Sequence, residues 1–208
     1  PLIYGLSADG GPLAGVVSKL NPWAYAAVDL TLKGEGSAPG QFTDPRAIAT
    51  DREGNFFVAD YMTGRIQSFD NQGSFRWLVS LGNKEIIQSM AVGNGEVLYV
   101  AAQGVLRRFE ASDGRELEPF TFSDNRYYIE DIAIAPDGRI ALIYRGENLL
   151  VLDGNMEILF EIPAAVSSVT GDSELSSEVA IDSTGNLYIL GHVNTLILKY
   201  SADARHLC

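Results

Sequence analysis

The chain has 208 residues, of which 46% are hydrophobic, and 27 acidic residues against 15 Lys and Arg give a formal net charge of −12. This length and hydrophobic content suffice to bury a substantial core in one domain, whereas the acidic balance disfavours nucleic acid and anionic membrane surfaces as partners. No apolar run reaches the roughly 18 residues that a membrane helix needs, so the sequence predicts no membrane insertion within this chain.

Residues 1–33 permit two strand registers. In the first, residues 2–7 and 12–18 flank the turn at Gly11 as a first and a second strand, and residues 23–33 supply the rest. In the second, residues 26–33 form an outer strand, because Gly34 then matches Gly82 of the next segment. Both registers predict β-structure, and the choice between them stays open at this point.

The segment from residue 34 to residue 82 predicts a small antiparallel sheet. Four short β-type runs are separated by Gly, Asp and Asn, at residues 47–50, 55–60, 65–69 and 74–81. Gly54 supplies the positive φ that the first tight turn requires. A meander of four short strands is too small to be stable alone, so this segment predicts further copies of itself.

Two glycine markers reveal these copies. The marker of the first turn recurs at spacings of 43, 41, 43 and 47 residues, as Gly11, Gly54, Gly95, Gly138 and Gly185. A second marker, in the hairpin between the third and fourth runs, recurs as Gly73, Gly114 and Gly154, with Asp203 and Ala204 in the corresponding place. A period of roughly 40 to 50 residues with four strands per unit is typical of a β-propeller blade.

The later units follow the same plan. Their predicted strands lie at residues 89–92, 97–101, 105–109 and 116–122, then near 131–135, 139–144, 149–152 and 158–160, and finally at 178–182, 186–191 and 195–200. Residues 149–152 and 158–160 are apolar on consecutive positions, which predicts burial on both faces. The approximate blades are therefore 1–34, 35–82, 83–122, 123–166 and 167–208.

One stretch resembles the NHL repeat, a propeller-blade family of bacteria and animals. The matching elements arrive in order within residues 34–82: residues 39–42, 44–49, Asp51, Gly54-Asn55, 58–60 and 65–70. The last unit keeps 179–182, 185–188 and 196–200, but has Leu190-Gly191-His192 where Val58-Ala59-Asp60 stand. The resemblance implies an all-β propeller of four-stranded blades. Because such propellers commonly have six blades and five units are countable, we expect a fragment of a longer protein.

The loops on one rim of such a propeller converge, so they are the place to expect a ligand. We predict a non-catalytic scaffold or recognition module for a protein or small molecule, without a cofactor. The candidate ligand-binding residues are aromatic, acidic or cationic: Trp23, Arg46, Asp60, Tyr61, Arg65, Tyr128, Glu130, Tyr144, Arg145 and His192. An alternative reading assigns Asp60 and Arg65 to hydrogen bonds that stabilise the blade.

A second function class remains open. Propeller enzymes of related shape include lactonase-like hydrolases and lyases that hold a divalent metal at the axis. The residues with suitable donor atoms here are Glu130, Glu178, His192 and Asn194. The other histidine, His206, lies near the end of the chain, and no nucleophile motif or phosphate-binding loop accompanies them.

Composition says little about the compartment. The single Cys208 cannot form an internal disulfide, which leaves the cytoplasm and the exterior both open, with an extracytoplasmic or cell-surface place favoured. Arg outnumbers Lys, and Ala and Gly are abundant, which favours a bacterial source.

Overall fold

A computed structural model describes residues 3–7, 16–21, 27–61, 63–82, 85–122 and 128–205, with side chains from residue 30 onward. The chain forms two compact units. One comprises Pro1–Gln88 and Glu110–Arg115, and the other comprises Ser89–Phe109 and Glu116–Cys208.

The described residues form eighteen strands and one short helix. The strands are β1 Ile3–Ser7, β2 Val16–Asn21, β3 Ala27–Leu32, β4 Pro45–Thr50, β5 Phe56–Asp60, β6 Arg65–Phe69, β7 Phe75–Ser80, β8 Ile87–Val92, β9 Val97–Ala102, β10 Val105–Glu110, β11 Glu116–Thr121, β12 Ile129–Ile134, β13 Ile140–Tyr144, β14 Asn148–Leu152, β15 Ile158–Ile162, β16 Ser177–Ile181, β17 Leu187–Gly191 and β18 Leu196–Tyr200. The helix is α1 Ser167–Thr170.

The strands assemble into five antiparallel meander sheets. β4–β7, β8–β11 and β12–β15 each form a four-stranded sheet in chain order, while β1–β3 and β16–β18 form sheets of three described strands. The strands predicted near residues 47–50, 89–92, 131–135 and 178–182 are confirmed as β4, β8, β12 and β16. Each of these four begins a different sheet, as the repeat predicted.

Aspartates at the turns explain why the strands reverse where they do. The Oδ1 atom of each accepts hydrogen bonds of 2.8–2.9 Å from the backbone N–H groups two and four residues later, at Asp51, Asp70, Asp153 and Asp182. An aspartate side chain is long enough to accept hydrogen bonds from the backbone N–H groups of its own turn, so the turn needs no contact with a distant part of the chain. The hydrogen bonds also lower the pKa of Asp182, chiefly through the Asn186 side chain, and that of Asp70, chiefly through Ser74 N–H.

Backbone geometry confirms the first glycine marker at three positions. At Gly95 the equivalent turn position belongs to Glu96, with φ of 57°, and Gly11 lies outside the described residues. Gly54, Gly138 and Gly185 have φ of 85°, 92° and 85°. The second marker holds at Gly73 and Gly114 but is wrong at Gly154, because there the left-handed position belongs to Met156, with φ of 70°. The sequence Asp153-Gly154-Asn155-Met156 places its glycine two positions early, so counting glycines alone misplaced this turn.

Alanine at Gly54, Gly138 or Gly185 is expected to lower the free energy of unfolding by about 1 kcal/mol, because a Cβ atom is strained at positive φ. Thermal unfolding of the three variants measures this. Gly154→Ala is a matched control, since Gly154 does not have positive φ and the nearest atom to an added Cβ is 3.8 Å away. Equal melting points for all four variants would contradict the assignment of the turns.

In the sheets β4–β7 and β12–β15, the two middle strands are almost completely buried. Every residue of β5 and β13 is buried. In the first unit, Phe56, Val58 and Phe69 form a core with Phe42. In the second unit, Ala141 and Ile143 of β13 pack on the following sheet, where Leu187 and Ile189 of β17 are fully buried. Sheet-on-sheet packing therefore supplies most of the apolar burial.

The outermost strand of the fourth sheet departs from the sequence prediction. Consecutive apolar residues at 158–160 predicted burial on both faces, but Ile158 and Leu159 are 60% and 49% exposed. This prediction is wrong because β15 is the last strand of its sheet and has solvent beside it. The prediction is confirmed for β14, whose residues 149–152 are all buried.

The packing of β3 resolves the register of residues 1–33. A Cβ atom added to Gly73 would lie 2.8 Å from the methyl groups of Leu30, and one added to Gly114 would lie 2.8 Å from the Trp77 ring. Leu30 in β3 therefore occupies the place that Trp77 occupies in β7, the fourth strand of its sheet. The second register, in which residues 26–33 form an outer strand, agrees with this packing.

Candidate functional site

Asp60 and Arg65 tie the loop before β4 to the end of β5. The Oδ1 atom of Asp60, which is 1% exposed, accepts hydrogen bonds from the N–H groups of Thr43 and Asp44 at 3.0 and 3.1 Å. Arg65 donates to the carbonyls of Gly36 and Ser37 and to Asp60 Oδ2. These contacts are the blade-stabilising hydrogen bonds of the alternative reading.

Burial is the largest influence on the Asp60 carboxylate. It raises the pKa of Asp60, and the hydrogen bonds from Thr43 and Asp44 N–H together with the Arg65 charge only partly offset it. Gln67 extends the tie, since its side-chain amide donates to Gln41 O and accepts from Gly40 N–H, both at 2.8 Å. Asp60 is therefore held by the protein itself and is screened from a ligand.

Arg46 and Tyr61 form a pair on the surface beside this tie. The guanidinium carbon of Arg46 lies 4.2 Å from the centroid of the Tyr61 ring, and its Nε donates to Asp44 Oδ1 at 2.9 Å. The Arg46 side chain is 52% exposed. A stacked guanidinium held by a carboxylate is preorganised, and it presents a planar cation to solvent.

In the last sheet Glu174 plays the part that Asp60 plays in the second sheet. It comes from the loop before β16, whereas Asp60 comes from the end of β5. The Glu174 carboxylate accepts hydrogen bonds from the N–H groups of Leu175, Ser176, Val193 and Asn194 at 3.0–3.1 Å, and from the Asn194 side chain at 3.2 Å. Burial alone would raise the pKa of Glu174, but these donors outweigh it and lower the pKa to about 2.

Strand register explains why the carboxylate comes from the preceding loop in the last sheet. Pro45 pairs with Asp60 in the second sheet, and Ser177 pairs with Gly191 in the last. Gly191, and not His192, therefore stands where Asp60 stands, which corrects the sequence alignment by one residue. A Cβ atom on Gly191 would lie 2.7 Å from Glu174 Oε2, so the glycine makes room for the carboxylate that replaces Asp60.

Glu130 and Asp131 lie side by side on β12 and both join neighbouring sheets. Glu130 accepts from Gly146 N–H at 2.5 Å and from Ser177 N–H at 3.4 Å. Asp131 accepts from Ser89 Oγ at 2.7 Å and from Val179 N–H at 2.8 Å. Burial is the main cause that raises the pKa of both carboxyl groups. Both therefore act first as structural acceptors.

The four residues of the alternative metal set fall into separate contacts. His192 Nε2 lies 3.4 Å from Glu178 Oε1 on the surface, Asn194 binds Glu174, and Glu130 binds backbone N–H groups. Within the part of the chain that the structure describes, no group of three or more His, Cys, Asp or Glu residues could hold a metal ion.

The remaining candidates are distributed as follows. Tyr144 is buried at the end of β13, where its hydroxyl bonds to Glu161. Tyr128, 36% exposed, precedes β12, and its carbonyl accepts from Arg145 N–H at 3.3 Å. Trp23 lies outside the described residues, as do His206 and Cys208.

Sequence reasoning missed Glu174 and the role of Gly191. The sequence contains a signal for this. When Asn186 is aligned with Asn55, Gly191 aligns with Asp60, five residues further on in each case. Because Gly191 has no carboxylate to bind the N–H groups of the turn after β17, an acid must come from elsewhere, and Glu174 in the loop before β16 supplies it.

Comparison with known proteins supports a propeller-like fold and leaves the family open. No protein-family model matches the chain, and no curated protein matches it. The chain is similar to the solved structure "KlHsv2 with loop 6CD replaced by a Gly-Ser linker", with a TM-score of 0.66 and 18% identity over 96% of this chain and 64% of that one. It is also similar to a protein of unknown function from Bacteroides caccae, with a TM-score of 0.68 and 10% identity over 100% of this chain and 71% of that one.

These likenesses support a propeller-like all-β fold, because the first of these structures is a β-propeller. At such identities they carry no argument about function. The chain spans less than two thirds of the length of the first structure. In the described residues, no helix is long and apolar enough to cross a membrane.

Proposed function

We propose that the chain is a non-catalytic recognition module, built on an NHL-like propeller of four-stranded blades that belongs to a six-bladed ring. Its partner is a protein or a small molecule that binds loops at the strand ends, and it is not a nucleic acid. The acidic balance of the chain and its five meander sheets support this proposal. The blade limits 1–34, 35–82, 83–122, 123–166 and 167–208 belong to the same proposal.

The observation that carries the proposal is the exposed pair of Arg46 and Tyr61. The nearby Asp60 and Arg65 are occupied by the loop that they tie, so the stability of the sheet already accounts for them. Among the described residues, the Arg46 side chain has no comparable hydrogen bond to a distant loop: its hydrogen bond is to Asp44, two residues away. A stacked, half-exposed guanidinium of this kind is suited to a carboxylate group, which it can bind through two parallel hydrogen bonds.

The enzyme alternative has weaker support. A metal-dependent hydrolase needs several oxygen or nitrogen donors around one ion, at roughly 2.0 to 2.6 Å. Glu130 and Asn194 are instead engaged with backbone N–H groups and with Glu174 respectively. Glu178 and His192 together supply only two donor atoms for a metal ion. A third donor could come from Asp131, but both of its carboxylate oxygens already accept hydrogen bonds.

A library of carboxylate-bearing peptides and small molecules, screened by ligand-observed NMR, tests the proposal. We expect ligands whose signal is lost in Arg46→Ala and retained in Arg205→Ala. Arg205 is a matched control because it is also exposed and also paired with an aspartate two residues away, at 3.1 Å. The expected loss of affinity is about tenfold, or roughly 1.4 kcal/mol, as for one charged hydrogen-bonding group.

Two results would contradict the proposal. One is a library in which no ligand distinguishes the two variants. The other is calorimetry that shows one Ca²⁺, Mg²⁺ or Zn²⁺ ion bound tightly and lost in Glu130→Gln with Glu178→Gln, which would favour the hydrolase.

A further inference from the structure

An irregularity in β4 sets the exposed position of Arg46. Pro45 pairs with Asp60 across the two strands. The next pair joins Ala47 to Ala59, so Arg46 is the extra residue of a β-bulge and has no cross-strand partner. Such a bulge directs a side chain away from the regular alternation of its strand, and bulges of this kind are frequent beside binding sites.

The sheet β12–β15 has a bulge at the same place, but its extra residue is already engaged. Glu130 is that residue, and its carboxylate accepts hydrogen bonds from the N–H groups of Gly146 and Ser177. In Arg46 only Nε donates a hydrogen bond, and Nη1 and Nη2 donate none to any residue that the structure describes. These two nitrogens are therefore available to a ligand.

Asp44 is the second charged group at this place, and its backbone holds it on both sides. Its N–H donates to Asp60 Oδ1 at 3.1 Å, and its carbonyl accepts from Tyr61 N–H at 2.8 Å. Its Oδ1 accepts from Arg46 Nε, whereas Oδ2 accepts no hydrogen bond from the described part of the chain. Because the side chain is 18% exposed, Oδ2 can accept a hydrogen bond from a ligand.

The two charges restrict the kind of carboxylate that fits. Arg46 Nε and Asp44 Oδ1 are 2.9 Å apart, so a carboxylate bound to Arg46 lies near a second negative charge. Like charges placed together oppose binding, and the net charge of −12 also repels a free anion. A positive group beside the ligand carboxylate removes both penalties, because it pairs with Asp44 and makes the ligand neutral.

Building on the proposed function, we propose that the site formed by Arg46 and Asp44 binds free α-amino acids. One carbon atom of such a molecule carries both the carboxylate and the ammonium group, so the two charges lie side by side, as those of Arg46 and Asp44 do. The carboxylate accepts hydrogen bonds from Arg46 Nη1 and Nη2, and the ammonium group donates to Asp44 Oδ2. A peptide carries its two terminal charges on different residues and matches this arrangement less well.

Ligand-observed NMR on the 208-residue chain, with three matched sets of compounds, tests this ligand class. The first set is the common amino acids. The second is their N-acetyl derivatives, which keep the carboxylate but lose the ammonium group, and the third is their amides, which keep the ammonium group but lose the carboxylate. We expect the second and third sets to bind about tenfold more weakly than the first, as for the loss of one charged hydrogen-bonding group.

Asp44→Asn tests which residue recognises the ammonium group. This variant should bind an amino acid and its N-acetyl derivative equally. Asp203→Asn is a matched control, because Asp203 also pairs with an arginine two residues away, Arg205, at 3.1 Å. The control should keep the preference for the free amino acid, and circular dichroism verifies that both variants are folded.

Two results would overturn the amino-acid class while leaving carboxylate recognition intact. One is a wild type that binds the N-acetyl derivatives as tightly as the amino acids, with both lost in Arg46→Ala. The other is an Asp44→Asn variant that keeps the full preference for free amino acids. If no compound that binds is affected by Arg46→Ala, the proposed function fails as well.

Discussion

Glu174→Ala is expected to lower the free energy of unfolding by about 4 kcal/mol, more than the loss expected at Asp60 or at any of the turn glycines. The carboxylate is 2% exposed and accepts four backbone N–H groups and the Asn194 amide. Removing it leaves these part-buried donors without their protein acceptor, and each unsatisfied donor costs up to roughly 1 to 3 kcal/mol before the loops relax and water enters. Urea unfolding measures the difference, with Glu178→Ala as a control at an exposed acid nearby.

The pH dependence gives a second test of the same group. The pKa of Glu174 is lowered to about 2 in the folded protein, against about 4.3 in an unfolded chain. The folded state therefore binds this proton less tightly, so the stabilisation is present above that unfolded value and is lost as the pH falls toward 2. Glu174→Gln should remove this part of the acid sensitivity. If the loss of stability at low pH were the same in that variant as in the wild type, Glu174 would not be the group that stabilises these loops.

Asp60→Ala is expected to lower the free energy of unfolding by about 3 kcal/mol. The substitution leaves Arg65, whose side chain is 11% exposed, without its carboxylate, and leaves Thr43 and Asp44 N–H without their acceptor. Asp60→Asn keeps one oxygen for the two N–H groups and should cost less, about 1 kcal/mol. Urea unfolding of both variants measures this order, and equal losses would mean that the N–H groups contribute nothing.

The sign of the pH effect is opposite at Asp60. Burial raises the pKa of Asp60, so the folded state binds this proton more tightly than the unfolded state. Its contribution favours folding at low pH and is lost as the pH rises from the unfolded value, about 3.9, through the raised folded value. In Asp60→Asn this dependence should vanish, whereas that from Glu174 should persist.

Most strands could be predicted from the sequence because they are set by local chemistry. At Asp51, Asp70, Asp153 and Asp182, an aspartate, two turn residues and a left-handed position close a hairpin within five residues, and an apolar run follows. The same local logic failed at Met156, where the left-handed residue is not a glycine. It also failed at Ile158, where burial depends on what lies beside the sheet, and the sequence of β15 alone does not contain that information.

The candidate site was less predictable because its contacts join distant residues. Asp60 and Arg65 could be named from the sequence, but their burial depends on the loop at residues 36–44. The link between Glu174 and Gly191 spans 17 residues and needs the exact pairing of β16 with β17. The stacking of Arg46 on Tyr61 likewise follows from the pairing of β4 with β5 and not from any motif.

The self-contained aspartate turns also bear on how the chain acquires its structure. Because the acceptors at Asp51, Asp70, Asp153 and Asp182 are at most four residues from their donors, each hairpin can close without waiting for another sheet. Hairpins form in about 1 to 10 μs, whereas ribosomes add only about 5 to 20 residues per second. Each reversal can thus close as its residues emerge, and the slow events left for the released polypeptide are the docking steps that bury Phe56, Leu142 and Ile189.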